Sequence, residues 1–179
     1  DHPVTEKECC RLLGLSSLEF MDEITPLISR KMCYRYGDYF SPSVNIQTLS
    51  QTRQQKEIIS LTYFSKLKKY TRIISHFPYV RGIAVSGSLS KGVMQEGGDI
   101  DFFIITSPHR LWLCRTLLIL YKKIVLLNSH KYFCLNYFVD QQNMNIIDKN
   151  IFTATEMFYL MPVYSENNTL DNFFKNNDW

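Results

Sequence analysis

The spacing of apolar residues predicts helices in the first third of the chain. A capping pattern at Thr5 predicts a short helix that ends at Gly14. Apolar residues at steps of three and four over 18–28 predict a second helix, and aromatic residues on both sides of Gly37 predict a hairpin. Helix, helix and hairpin form the outline of a winged helix, so we expect residues 1–45 to be a small winged-helix-like module.

Residues 46–179 alternate between predicted helices and strands, and we expect them to form a second, larger domain. The predicted elements are a long helix over 51–76, strands over 79–85, 100–105 and 132–140, and helices over 108–127 and 152–160. This order predicts an α+β fold in which a mixed sheet is flanked by helices. Thr153 and Glu156 match a capping box, so we interpret Glu156 as a helix cap. We expect the Asn-rich tail to be loose or incomplete.

The composition excludes several classes of protein. With 179 residues, of which 45% are hydrophobic, the chain can bury a sizeable core, and a formal net charge of +3 demands no nucleic-acid partner. The five cysteines lack Cys-x-x-Cys spacing and the four histidines are scattered, which argues against a zinc site and favours reduced thiols in a cytoplasmic protein. The first residue is Asp1 rather than methionine, so we expect a fragment or a processed chain with missing ends.

The most apolar stretch, residues 111–127, is predicted to be a buried helix of a soluble domain. It contains Arg115, Lys122 and Lys123, and these charges are costly inside a bilayer. We therefore expect no membrane partner. We also expect Trp112 to lie in the core rather than to stack on a base.

A tight turn follows the predicted strand at 79–85 and is formed by Ser86, Gly87 and Ser88. Because a glycine has no side chain, backbone N–H groups at this turn can approach a phosphate closely. The Ser88 hydroxyl adds one more donor, and a helix that begins at Leu89 would point its first amides at the same anion. The turn is therefore a candidate nucleotide-binding site.

Two carboxylates, Asp99 and Asp101, follow this turn after a spacer of ten residues. On a strand they share one face while Ile100 turns into the core, because side chains alternate with a period of two. Two neighbouring carboxylates repel each other, and a divalent cation between them relieves that repulsion. Mg²⁺ is the natural candidate, with Mn²⁺ as the alternative, because it prefers oxygen ligands that a triphosphate can share.

The turn and the acidic pair together resemble the signature of the DNA polymerase beta-like nucleotidyltransferase superfamily. In that signature an apolar strand, Gly-Ser, about ten residues and Asp-apolar-Asp follow one another. The resemblance implies a nucleotidyltransferase core in which the catalytic residues Asp99 and Asp101 hold Mg²⁺ against a nucleoside triphosphate. It also implies that Gly87 and Ser88 seat the outer phosphates. Lys91 is placed to neutralise the departing pyrophosphate, or else is an exposed turn lysine.

The chain is also similar, over most of its length, to prokaryotic nucleotidyltransferase-domain proteins with an upstream winged-helix-like segment. The stretches that carry this similarity are the hairpin at 37–40, Leu111 and Trp112 with Arg115, the strand at 133–138 and residues 150–154. This wider similarity implies no particular substrate.

The third carboxylate of the family pattern is not assigned by the sequence. In active members it lies on a later strand, binds metal near the acceptor and helps to deprotonate it. In the predicted strand at 132–140, Asn136 lies centrally on the relevant face and Asp140 lies at the end. Asn136 can bind a cation or nucleotide through its carbonyl oxygen but cannot act as a base, whereas Asp140 would complete the catalytic set. Both alternatives stay open.

Three functions are therefore compatible with the sequence. The leading one is a Mg²⁺-dependent transferase that moves a nucleoside monophosphate onto the hydroxyl of an unknown acceptor: a small molecule, a protein or a nucleic acid. The second is a catalytically impaired regulator that binds nucleotide, and the third is a DNA-binding regulator that uses the first module. DNA is the less favoured partner because the second predicted helix begins with Asp22 and Glu23 and carries only Arg30 and Lys31 near its end.

Overall fold

A computed structural model describes residues 2–127 and 132–179 of the chain. The chain divides into two compact units, Asp1–Ile58 and Ile59–Trp179; the domain limits expected from the sequence, at residues 45 and 46, stay a prediction. In chain order the elements are β1 (Val4–Thr5), α1 (Glu6–Leu13), α2 (Ser17–Ser29), β2 (Tyr34–Tyr36), β3 (Tyr39–Ser41), α3 (Ile46–Ser75), β4 (Val80–Ser86), α4 (Gly87–Ser90), β5 (Asp101–Thr106), α5 (Leu111–Ile124), β6 (Cys134–Asp140), α6 (Ile151–Phe158), β7 (Met161–Ser165) and α7 (Thr169–Lys175).

The first unit contains the predicted succession of helix, helix and hairpin. Thr5 and Ser16 each close a capping box at the start of α1 and α2, and Gly14 ends α1 in the left-handed conformation. Strand β3 lies between β1 and β2 in an antiparallel sheet. Phe20 of α2 packs edge-on against Phe40 of β3, with ring centroids 5.2 Å apart, and this pair forms the centre of a small core.

A buried cation, Arg53, organises the polar interior of the first unit. Its side chain is only 6% exposed and donates to Glu8 at 2.5 Å, to Glu57 at 2.9 Å and to the carbonyl of Pro3. Glu8 also closes the capping box of α1. Burial acts to raise the pKa of the Glu8 carboxyl, but hydrogen bonds from Arg53 and Thr5 outweigh it and leave that pKa lowered.

The second unit is built on a four-stranded mixed sheet in the order β6-β5-β4-β7. Strand β4 runs antiparallel to β5 and β7, and β5 runs parallel to β6. Helices pack against both faces of the sheet, so the α+β fold predicted from the sequence is confirmed.

Side-chain alternation on the central strands divides the core of the second unit between the two faces of the sheet. Phe102 and Ile104 pack on one face, in a cluster with buried residues of α3 and α5. Phe103 and Ile105 pack on the other face, in a cluster with buried residues of α7. Because alternate residues of a strand share a face, Asp101 at the start of β5 lies on the same face as Phe103.

The tail of the chain is ordered, so the expectation of a loose tail is wrong. Helix α7 buries Phe173 completely. Asn177 is 7% exposed; its side chain accepts a hydrogen bond from the Ile146 amide and donates to the Met144 carbonyl. Pro162 does not end the structure but lies in β7, an edge strand, where a residue without an N–H is tolerated.

Helix α5 is only partly buried. Cys114 and Leu118, four residues apart, are fully buried, whereas Trp112 is 76% exposed. The expectations of a buried helix and of Trp112 in the core are therefore wrong, because only one stripe of this helix meets the sheet. Within residues 2–127 and 132–179, none of the helices has the length and apolar character needed to cross a membrane.

Candidate functional site

The predicted nucleotide-binding turn lies directly against one of the predicted metal ligands. Strand β4 ends at Ser86, and Gly87 follows with a φ of +70°. A Cβ atom at position 87 would overlap the carboxylate of Asp101. Glycine is required at this position for two reasons, its left-handed backbone and its close approach to Asp101. Ser88 is exposed in the single turn of α4, which is too short to form an anion site by itself.

Ile100, between the two aspartates of the motif, is fully buried, and Asp99 precedes β5, which begins at Asp101. Asp99 is exposed and Asp101 is partly buried, opposite Ser86 in the antiparallel pair of β4 and β5. Burial raises the pKa of the Asp101 carboxyl, and the negative charges of Asp99 and Glu156 raise it further. Asp101 thus lies beside the Gly-Ser turn, within range of the negative charge of Asp99.

The thiol of Cys134 is a neighbour of Asp101 that the sequence did not reveal. Cys134 is the register partner of Asp101 in the parallel pair of β5 and β6. Its thiol hydrogen bonds to the Asp101 carboxylate, which partly offsets the upward shift of the Asp101 pKa. Burial and the charge of Asp101 raise the pKa of the thiol to about 11, so it stays protonated and donates at neutral pH. Only the register between the two strands could have identified this pair.

Asn136 also reaches the site. The pairing of β5 with β6 shifts between Phe102 and Phe103, so that Asn136 is an extra residue in the ladder. Its side-chain amide donates a long hydrogen bond, 3.5 Å, to the Ser86 hydroxyl at the end of β4. Of the two alternatives for the third position of the motif, the structure places Asn136 beside the turn.

Asp140, the other alternative, lies at the opposite end of the sheet. It pairs with Thr106, five residues along β5 from Asp101, which corresponds to roughly 17 Å at about 3.3 Å per residue. Its carboxylate accepts hydrogen bonds from the backbone amides of His109 at 2.6 Å and Gln142 at 2.8 Å. These contacts give Asp140 a structural role, away from the Gly-Ser turn, which argues against Asp140 as the third carboxylate.

Lys91 and Glu156 form an ion pair across the site. Lys91 directly follows α4, and Glu156 lies on α6, so the pair links the Gly-Ser turn to that helix. The interpretation of Glu156 as a cap is wrong, because Asn150 caps α6 by accepting from the Thr153 amide at 2.9 Å. Because Glu156 has the spacing of a capping box, the sequence did not identify its carboxylate as part of the site.

The acidic groups of the site do not form a metal cage by themselves. Among residues 2–127 and 132–179, no group of three or more His, Cys, Asp or Glu side chains is arranged to hold a metal ion. A cation at Asp99 and Asp101 would therefore take further ligands from water and from a bound substrate. Oxygen donors of this kind fit Mg²⁺, which keeps several waters and shares phosphate oxygens in many sites.

A cavity of about 280 Å³ opens beside these residues in the second unit. Ser86, Asn136 and Glu156 form its border with the site, and the side chains of α6 and of β5 and β6 form its walls. Phe103 and Tyr137 stack within it, with ring centroids 5.5 Å apart and planes 8° apart. The cavity is therefore continuous with the Gly-Ser turn and has an aromatic wall.

A mixed sheet that presents a Gly-Ser turn against an Asp-Ile-Asp strand is the core of a nucleotidyltransferase. The family model described as "Nucleotidyltransferase domain" matches residues 67–156, half of the chain, including the turn and both aspartates. The chain therefore belongs to the nucleotidyltransferase domain family. Searches of curated proteins and of solved structures found no match.

Proposed function

We propose that the protein transfers a nucleoside monophosphate from a nucleoside triphosphate to the hydroxyl of an acceptor, with Mg²⁺ or Mn²⁺ held by Asp99 and Asp101. The observation that supports this most is the contact between Gly87 and the Asp101 carboxylate. At this contact, a backbone that can approach a phosphate closely lies next to a carboxylate that can share a cation with that phosphate. Neither feature alone would favour this reaction.

The proposed roles follow from charge and position. The negative charges of Asp99 and Glu156 act on Asp101, and a divalent cation held by Asp99 and Asp101 would offset this repulsion and supply positive charge for phosphate oxygens. The Gly87 backbone and the Ser88 hydroxyl seat the outer phosphates. Lys91 directly follows α4 and would exchange Glu156 for a phosphate oxygen when the triphosphate binds.

A second candidate function, nucleotide binding without efficient transfer, is favoured by one specific observation. Asn136 occupies the position beside Ser86, and an amide cannot accept the proton of an attacking hydroxyl. Glu156 is a carboxylate on that side, and it is paired with Lys91. In a transferase Glu156 would take the proton after Lys91 has moved to the phosphates, and a regulator would lack this step.

For the first unit we propose a winged-helix-like module that packs rather than reads DNA. Its support is the observed order of two helices and a hairpin. The acidic start of α2, with Asp22 and Glu23 both exposed, makes a DNA-binding regulator the weaker alternative. All five cysteines are free thiols, which supports a reducing compartment such as the cytoplasm.

Thermal denaturation with Mg²⁺ and each of ATP, GTP, CTP and UTP tests nucleotide binding. We expect stabilisation of the wild-type protein, and loss of that stabilisation in Asp99→Asn and Asp101→Asn. Asp38→Asn is the matched control, since it removes the same charge from an exposed hairpin turn. Equal stabilisation in all three variants would reject the proposed site.

Pyrophosphate release with panels of hydroxyl acceptors then separates the two candidate functions. A transferase releases pyrophosphate in an acceptor-dependent manner, and Asp101→Asn abolishes the release. Binding of nucleotide with no release across sugars, peptides and oligonucleotides would favour the regulator.

A further inference from the structure

Helix α5 carries a second apolar stripe besides the one that packs on the sheet. The members of this outer stripe are Leu113, Leu117, Leu120 and Ile124. Steps of four, three and four residues place them along one side of the helix. Leu113 is 43% exposed, Leu120 50% and Ile124 65%, and Leu117 is partly exposed. The fold therefore leaves much of the outer stripe uncovered.

The spacing of the outer stripe is that of a helix-pairing surface. Alternating steps of three and four residues put apolar side chains at the a and d positions of a heptad, where each inserts between side chains of a facing helix. A single exposed leucine needs no explanation, but a continuous exposed apolar surface marks a site of interaction. Trp112, which is also exposed, adds an aromatic ring near the start of the same helix.

Every charged side chain of α5 is positive. These side chains are Arg115, Lys122 and Lys123, and residues 102–139, which include α5, contain neither Asp nor Glu. In the part of the chain that the structure describes, none of the ion pairs involves Arg115 or Lys123. A partner that lies along the outer stripe would therefore meet positive charge beside it.

We propose that α5 binds an amphipathic helix of a partner protein, whose apolar side chains pack on the outer stripe and whose flanking side chains are acidic. Charges beside the a and d positions select the partner in paired helices, and acidic flanks complement Arg115 and Lys123. A second copy of the chain fits less well, because two α5 helices would bring only positive charges together. The proposal is independent of the proposed function, since α5 contains none of the candidate site residues.

Fluorescence anisotropy with labelled synthetic helices tests the proposal on the whole chain. One peptide of about three heptads carries Leu at positions a and d and Glu at the flanking positions e and g, and its counterpart carries Lys in place of Glu. Repulsion between like charges disfavours pairing of each peptide with itself. We expect the Glu peptide to bind about ten-fold more tightly than the Lys peptide.

Two substitutions on α5 locate the binding surface, each with a matched control. Leu120→Gln should weaken binding of the Glu peptide about ten-fold, because an apolar side chain at the interface is lost. Leu61→Gln, at a leucine of α3 that is 70% exposed, should leave binding unchanged. Lys123→Glu should weaken binding about two- to five-fold, whereas Lys175→Glu, on the exposed surface of α7, should not. All four side chains are exposed, so we expect unchanged melting temperatures.

Four results would overturn the proposal. The Glu peptide might as well be absent from the interface if it binds no better than the Lys peptide, or if Leu120→Gln and Leu61→Gln have the same effect. A wild-type dimer in analytical ultracentrifugation that Leu120→Gln dissociates would assign the outer stripe to a second copy of the chain. Binding to vesicles that contain phosphatidylserine, abolished by Leu120→Gln, would assign the stripe to a lipid surface.

Discussion

The ammonium group of Lys91, the residue that directly follows α4, is paired with the carboxylate of Glu156 before any substrate binds. The same Glu156 raises the pKa of Asp101 through its negative charge. The Glu156 carboxylate thus keeps Lys91 from binding the phosphates and adds negative charge beside the proposed metal ligands. Binding of a triphosphate with its cation would relieve both effects at once.

Replacing this carboxylate should therefore strengthen nucleotide binding. In Glu156→Gln, Lys91 is released and Asp101 loses a negative neighbour, so we expect Mg²⁺-ATP to bind about two- to five-fold more tightly. This change in affinity corresponds to the about 0.5–1 kcal/mol that a partly exposed ion pair contributes. Calorimetry measures this change. Glu23→Gln, an exposed change of equal charge on α2, should leave affinity unaltered. Weaker binding in Glu156→Gln would contradict the proposal that Lys91 exchanges Glu156 for a phosphate oxygen. If Glu156 is the base, pyrophosphate release should also fall in this variant.

The contact between Gly87 and Asp101 can be separated from the backbone conformation of Gly87. Gly87 and Gly92 have nearly the same φ, +70° and +68°, but a Cβ at Gly92 meets nothing within 4 Å. Both alanine substitutions cost about 1–2 kcal/mol for the left-handed backbone. We expect Gly87→Ala to cost more in thermal denaturation and to abolish nucleotide binding, because its Cβ displaces the Asp101 carboxylate. Gly92→Ala should retain binding, and an equal loss in both variants would refute the contact.

The local part of the site could be predicted from the sequence because its parts are close along the chain. Gly87, Asp99 and Asp101 lie within one segment of 15 residues along the chain, and the burial of Ile100 between the two aspartates follows from the apolar position in the motif. Their neighbours Cys134 and Glu156 come from later elements. Cys134 is placed by strand register and Glu156 by the packing of α6, and neither is a property of local spacing.

Two of the wrong predictions, the loose tail and the buried Trp112, have a common physical origin, since tertiary contacts decided both. The Asn-rich tail forms α7 because Leu170 and Phe173 pack against a hydrophobic face of the sheet. Trp112 is exposed because α5 packs through Cys114 and Leu118 instead. Apolar content alone shows that a segment can be buried, but not which side of it meets a partner.

Acid should destabilise the protein partly through Glu8. The pKa of this carboxyl is lowered on folding, because the hydrogen bonds from Arg53 and Thr5 outweigh the cost of burial. A lowered pKa contributes stability above the ordinary value of about 4.5, and this contribution is lost as the pH falls through the folded value. Glu8→Gln should therefore cost about 1–3 kcal/mol at pH 7 and less at pH 3. Urea denaturation at the two pH values measures the difference.

The matched control for this change is Glu23→Gln, whose carboxylate is exposed on α2. It should alter the unfolding free energy little at either pH. A cost of Glu8→Gln that is the same at pH 3 and pH 7 would show that the ion pair with Arg53 contributes no pH-dependent stability.

A carboxylate restored at position 136 should reveal whether the missing base limits transfer. Asn136→Asp places a negative charge beside Ser86, on the side of the site where Asn136 now donates only a long hydrogen bond. Without metal, repulsion from Asp101 should lower the melting temperature, and Mg²⁺ or Mn²⁺ should recover it. With metal, we expect tighter cation binding and faster pyrophosphate release, because an aspartate accepts the proton that an asparagine cannot.

Asp140→Asn is the counterpart, since its contacts with the amides of His109 and Gln142 lie at the other end of the sheet. Asp140→Asn should lower stability and leave nucleotide binding intact. The assignment of the two positions would be reversed if Asp140→Asn lost nucleotide binding while Asn136→Asp changed neither cation binding nor pyrophosphate release.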